Sequence, residues 1–153
     1  MKSFLSILII IILFVCYSCK STPDFSGTWT NPDLNNNHSS QSEKPLIVGL
    51  ILNQNEKYIS GIALVESKIS SLKSLKVADL KGSELVVQEN GMWKYNSSFD
   101  VEIDHCKYHF NIHCTLSEKR LWGAYNLIDS CNGTETTEPF SFEPGTVTVN
   151  KVQ

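Results

Sequence analysis

Histidine and cysteine, two side chains that commonly bind zinc, are concentrated in one short stretch of this 153-residue chain. The stretch contains His105, Cys106, His109, His113 and Cys114. Polar and apolar residues alternate through it, which is typical of a β-strand with one apolar face. Four residues of strand span about 13 Å, whereas tetrahedral zinc holds each ligand about 2 Å away. No two of these histidines can share an ion without another segment, so we expect them to face solvent and to form no metal site.

Sequence motifs that position catalytic groups are absent from the chain. It has no zinc-protease, serine-hydrolase, phosphate-binding or dinucleotide-binding motif, and no carboxylate pair stands out from the strand alternation. The net charge is −3, and without a basic run the chain has no electrostatic attraction to nucleic acid. We therefore expect a protein that is not an enzyme, requires no cofactor and binds no nucleic acid.

The beginning of the chain is typical of an export signal. Residues Phe4 to Val15 are apolar except for Ser6, and they follow Lys2. This run is shorter than the roughly 20 residues of a membrane-spanning helix, and it has the length of the hydrophobic region of a signal peptide. We predict a signal peptide at residues 1–18, followed by 135 residues that suffice for one domain with a single core.

The residues around the predicted cleavage site, Val15-Cys16-Tyr17-Ser18-Cys19, resemble a bacterial lipoprotein signal. The resemblance implies that Cys19 carries acyl chains such as palmitate and that residues 19–24 form a tether. More than one acyl chain gives a stable anchor in a bilayer. The expected location is the Gram-negative cell envelope, at the outer membrane, with simple secretion as the alternative. Cys16 is a competing acceptor, but it would place the bulky Val15 at the cut.

The remaining residues predict β-structure throughout. Short apolar or alternating segments, separated by turn residues, occur at 46–52, 58–65, 83–88, 99–103, 106–116, 121–127 and 140–149. Asn90-Gly91 predicts a hairpin, and Pro144-Gly145 a type II turn. The polar stretch 31–45 reads as a loop, and 67–74 is compatible with either helix or strand. We expect residues 25–153 to form an all-β domain, a small antiparallel meander of about eight strands closed as a barrel, with a sandwich as the alternative.

The stretch from Cys106 to Cys131 fixes its own register. Apolar residues alternate along 106–116 and again along 121–127. Pairing Leu116 with Leu121 places every large apolar residue of both strands on one side, and it also places Cys106 opposite Cys131. A shift by one residue would put the two faces out of step. Because disulfides persist in exported proteins, we predict a Cys106–Cys131 bond, with Cys114 opposite Gly123 as a buried free thiol; the rival pair is Cys106 with Cys114.

Gly27 and Trp29, in the segment Phe25-Ser26-Gly27-Thr28-Trp29, resemble the G-x-W motif that opens the first strand of calycins, the group of lipocalins and avidins. The resemblance implies a small antiparallel barrel whose closed end is plugged by Trp29. Lipocalins stack an arginine over this tryptophan. The only arginine of this chain, Arg120, lies at a predicted turn, which departs from that pattern.

The calycin resemblance implies a function in binding. We expect a lipocalin-like barrel that holds a small apolar or amphipathic ligand, lined by Tyr108, Phe110, Ile112 and Tyr125. The alternative is that these residues fill the core and that the monomeric protein binds an envelope protein, with a layout similar to the small lipid-anchored inhibitors of lysozyme. An interior cavity above about 300 Å³ would favour the ligand.

Overall fold

A computed structural model describes residues 23–32, 44–69, 72–87, 90, 92–117 and 119–145 of the chain. The predicted signal peptide, Cys19, most of the 31–45 loop and residues 146–149 lie outside these residues. The described residues form nine strands: β1 Gly27–Thr30, β2 Leu46–Asn55, β3 Tyr58–Ile69, β4 Leu72–Glu84, β5 Val86–Val87, β6 Trp93–Ile103, β7 Cys106–Ser117, β8 Arg120–Asp129 and β9 Thr134–Pro144. The described residues include no helix that is long and apolar enough to cross a membrane.

The strands form one antiparallel sheet that is nearly closed as a barrel, as the sequence predicts. Its order is β4-β3-β2-β1-β9-β8-β7-β6-β5, so the first strand pairs with the last. β5 has only two residues, so most of β6 lies directly beside β4, the strand at the other edge of the sheet. There the Ser97 hydroxyl donates to the carbonyl oxygen of Lys81 at 2.6 Å, and the Lys81 ammonium lies 3.6 Å from the Asp100 carboxylate. Among the described strands, the ladder of paired strands is therefore interrupted only between β4 and β6.

Alternation along each strand sends apolar side chains into the barrel. On β6, Phe99, Val101 and Ile103 are buried, whereas the intervening Asp100 and Glu102 are exposed. The core of the described residues is a single cluster that includes side chains from eight strands. The hydrophobic pattern of the sequence is therefore sufficient to define the inside of the barrel.

The structure corrects several predicted boundaries. In the ambiguous segment 67–74, residues 67–69 belong to β3 and residues 72–74 to β4, while residues 70 and 71 lie outside the described residues. The predicted strand 83–88 is instead divided between the end of β4 and the two-residue β5. β5 and β6 pair at Val86 with Lys94 and at Val87 with Trp93, whereas Gly91 of the predicted Asn90-Gly91 hairpin and residues 88 and 89 lie outside the described residues.

The barrel has two ends that differ in character. At one end, here called the Phe25 end, the chain enters the domain at Pro23 to Phe25, and the β2–β3 and β7–β8 turns and β5 lie there. At the opposite end, here called the disulfide end, the β6–β7 and β8–β9 turns are joined by the Cys106–Cys131 bond. Residues at the Phe25 end are therefore separated by the length of the barrel from those at the disulfide end.

Candidate functional site

The β7–β8 register is the one that the sequence predicts. Leu116 pairs with Leu121, Ile112 with Tyr125 and Phe110 with Leu127. Cys106 and Cys131 form a disulfide, with their Cα atoms 5.5 Å apart. This separation is ordinary for a disulfide. The bond closes 25 residues into a loop at the disulfide end.

Asp129 organises the turn that carries Cys131. Its Oδ1 accepts hydrogen bonds from the backbone N–H of Cys131 at 2.9 Å and of Asn132 at 3.2 Å, and its Oδ2 accepts one from the Asn132 amide at 2.7 Å. Burial alone would raise the pKa of Asp129, but these three donors outweigh it and hold the pKa below its usual range. The apolar pattern of the sequence gives no sign that Asp129 organises this turn.

Cys114 is buried and free, and it lies opposite Gly123 as predicted. Its thiol lies 3.4 Å from the carbonyl oxygen of Tyr95, and burial raises the pKa of Cys114 strongly. A thiol that stays protonated in an apolar site is a poor nucleophile. Cys114 therefore serves packing and is not a reactive group.

The four residues expected to line a ligand site lie on β7 and β8, as their alternation requires. Phe110 and Ile112 have no accessible surface, Tyr125 is 2% exposed, and Tyr108 is half-buried at the disulfide end. The Phe110 ring stacks on Phe99, with centroids 4.6 Å apart, and contacts Tyr125 at 5.5 Å. Zero accessible surface excludes a water-sized space beside Phe110 or Ile112, so this part of the barrel is filled by its own side chains.

Two buried tyrosines place hydroxyls in this core. Burial raises the pKa of Tyr95 to about 12, although the nearby Ser97 hydroxyl lowers it. The Tyr95 hydroxyl makes no hydrogen bond to the described residues. Burial, together with the Glu138 carboxylate, also raises the pKa of Tyr125, and the backbone N–H of Ile47 opposes this shift. Both groups are protonated at neutral pH, and neither acts as a base.

The G-x-W residues lie on β1. Trp29 is 4% exposed, and its indole N–H donates to the carbonyl oxygen of Phe25 at 3.0 Å. Gly27 has a φ of 132°, which glycine tolerates far better than other residues. Trp29 and Phe25 are therefore both buried in the core where the chain enters the barrel, and this hydrogen bond joins them.

Arg120 lies on the outer face of the barrel, at the first position of β8. Its guanidinium is 3.2 Å from the Glu143 carboxylate on β9. Ser117, Arg120, Trp122 and Ser141 line a shallow open groove of about 430 Å³ beside this ion pair. The sequence provided no signal for this groove, because it combines residues from three strands.

The histidines of β7 are held by polar neighbours. His109 Nδ1 is 2.6 Å from Asp100 Oδ1, and His113 Nδ1 is 3.1 Å from Asn96 Oδ1. The hydrogen bond with His109 lowers the pKa of Asp100. Among the residues that the structure describes, no three His, Cys, Asp or Glu side chains are grouped to hold a metal ion. The contacts are those of side chains on the outer face of neighbouring strands.

Comparisons of the chain with models of protein families, with curated proteins and with solved structures found no match. The residues described above are therefore the basis of the functional argument. They comprise a filled aromatic interior, a disulfide at one end, and a groove lined by Trp122 and Arg120 on the outer wall.

Proposed function

We propose that the protein is an exported, lipid-anchored and non-catalytic binding protein of the Gram-negative cell envelope, which recognises a partner with its outer surface. The observation that carries the proposal is the complete burial of Phe110 and Ile112. A lipocalin-like barrel holds a small ligand only where its inward side chains leave space. Here the stacked rings of Phe99 and Phe110 occupy that space, so recognition belongs to the surface.

The groove beside Trp122 is the candidate contact site for this partner. Trp and Arg are enriched among the residues that contribute most to protein–protein affinity, and Trp122 and Arg120 lie together there with two serine hydroxyls. The Arg120 guanidinium lies 3.2 Å from the Glu143 carboxylate, at the edge of the groove. A protein partner of the envelope fits this combination better than a small apolar ligand does.

Titration with an apolar fluorescent probe tests the choice between surface and interior. For this test, residues 20–153 are exported by a signal peptide that lacks a lipidation cysteine, so the protein carries no lipid and needs no detergent. The purified protein is titrated with N-phenyl-1-naphthylamine. We expect no saturable increase in fluorescence. Saturable binding that a fatty acid displaces would overturn the filled-core proposal and favour the small-ligand function.

The lipid anchor is tested separately, by acyl labelling in a Gram-negative host. Wild-type protein should incorporate labelled palmitate, and Cys19→Ala should not, because Cys19 follows the predicted cut at Ser18. Cys16→Ala is the matched control and should keep the label. A label that survives Cys19→Ala contradicts the assigned attachment site.

A further inference from the structure

The Phe25 end of the barrel carries three exposed apolar side chains. Tyr58 is 62% exposed, Val86 56% and Val87 57%. They lie at the same end of the barrel, because the backbone N–H of Leu85 donates to the carbonyl oxygen of Lys57 at 2.6 Å and so joins the start of β3 to the start of β5. We call Tyr58, Val86 and Val87 the apolar tip.

The chain enters the domain beside this apolar tip, and Gln54 holds it there. The Gln54 amide donates to the carbonyl oxygens of Pro23 and Glu56, both at 2.8 Å. Its own oxygen accepts from the Phe25 N–H at 2.8 Å. The entering chain is thereby fixed to the β2–β3 turn, two residues before Tyr58.

The position of Pro23 limits where an anchor on Cys19 can be. Only four residue steps separate Cys19 from Pro23, and four residues reach at most about 14 Å when fully extended. The backbone of Cys19 therefore lies within this distance of Pro23, which the Gln54 amide holds beside the β2–β3 turn. The opposite end, with Cys131, lies the length of the barrel away and is out of reach of the same bilayer surface.

We infer that the apolar tip seats the barrel on the bilayer, with Tyr58, Val86 and Val87 inserted at the interface. The inference rests on the proposed lipid anchor at Cys19. Tyrosine is enriched at membrane–water interfaces, where its ring is buried and its hydroxyl stays hydrated. Exposed residues around the tip carry both signs of charge: Lys57 and Lys94, Glu56 and Glu84. Apolar contact, and not a basic surface, therefore drives the seating, and it depends little on salt.

A thiol-directed label reports this orientation in the full acylated chain. Cys106 and Cys131 are joined and Cys114 is buried, so an introduced cysteine is the only accessible thiol once Cys19 is acylated. Glu84→Cys places a fluorophore beside the tip, because Glu84 pairs with Tyr58. Glu135→Cys, near the start of β9, is the matched control at the disulfide end.

The labelled proteins are reconstituted in phosphatidylcholine–phosphatidylglycerol vesicles that contain brominated lipid. We expect quenching of the label at position 84 to exceed quenching at position 135 at least twofold, and to persist in 0.5 M salt. Replacing the whole tip by Tyr58→Ser, Val86→Ser and Val87→Ser should remove the difference while the protein still floats with the vesicles. These side chains are exposed, so the fold does not depend on them.

The outcomes separate the seating from the anchor. Protein that floats with the vesicles but shows equal, weak quenching at both positions overturns the seating and leaves the anchor intact. The same result is expected if the tip binds a protein, because the vesicles contain none. Protein that neither incorporates palmitate nor floats overturns the anchor and, with it, the seating.

Discussion

The two buried tyrosine hydroxyls lead to opposite predictions for the removal of one oxygen atom. The backbone N–H of Ile47 acts on the Tyr125 hydroxyl and lowers its pKa, whereas the Tyr95 hydroxyl is buried and makes no hydrogen bond to the described residues. A buried polar group costs stability unless it is paired. Tyr95→Phe should therefore be neutral or slightly stabilising in urea unfolding, and Tyr125→Phe should lose about 1 kcal/mol.

The two variants are each other's control, because both keep the ring and remove only the hydroxyl. A loss at Tyr95→Phe as large as that at Tyr125→Phe would mean that the Tyr95 hydroxyl has a partner, such as a buried water. Because the pKa of Tyr95 is about 12, its hydroxyl is protonated at neutral pH. Wild type and Tyr95→Phe therefore differ by no charge in this comparison.

Gly123 shows a different constraint on a single residue, the close approach of two strands. A Cβ built on Gly123 would collide with the carbonyl oxygen of His113 and with Cys114. Gly123→Ala should therefore cost about 3 kcal/mol of unfolding free energy, since β7 and β8 would have to separate. At Gly133, φ is 62° and no atom lies within 4 Å of such a Cβ. Gly133→Ala should cost only the backbone strain, about 1 kcal/mol, and equal losses at both sites would contradict the steric explanation.

Among the elements, the β7–β8 hairpin could be predicted from sequence because two independent constraints agree. The alternation of residues such as Phe110 and Leu127 fixes the faces, and the two cysteines fix the register. The segment 67–74 lacks such a constraint, because its apolar residues Ile69 and Leu72 are three positions apart and suit a short helix as well as a strand. Its described residues are strand because they pair with each other, for example Ser67 with Ser74 across β3 and β4. Pairing between strands decides such a segment, and local sequence does not.

The β8–β9 turn depends on a single carboxylate, which makes it sensitive to acid. The Asp129 pKa is lowered by its donors, so its contribution to stability is present above the ordinary carboxyl pKa near 4 and is lost as the pH falls through the folded value. Asp129→Asn should cost about 1 kcal/mol or more at pH 7. The difference from wild type should shrink below about pH 4, measured by urea unfolding at a series of pH values. A difference that stays constant with pH would show that the charge is not involved.

At the scale of the whole molecule, closure of the barrel could be predicted from the number of strands, and the contents of the barrel could not. Tyr108, Phe110, Ile112 and Tyr125 share one face in any register that buries apolar residues, but the same face suits a ligand pocket or a filled core. Packing across the barrel decides between them. The centroid of the Phe140 ring lies 6.1 Å from that of Tyr125 and 4.8 Å from that of Phe142. The aromatic cluster therefore extends from β6 to β9. Such contacts depend on residues far apart in sequence.

Phe110→Ala tests whether the cluster fills the barrel. Removing a fully buried ring that stacks on Phe99 should cost about 3–5 kcal/mol, because the neighbours collapse only partly into the space. The variant should also bind a small apolar compound such as benzene, detected as a rise in its thermal unfolding temperature, while wild type shows no such rise. Tyr108→Ala is the control, since Tyr108 is half-buried and its removal opens no closed cavity. A ligand-induced rise of the same size in wild type would mean that the barrel already contains space, and the partner surface at Trp122 would then lose its main support.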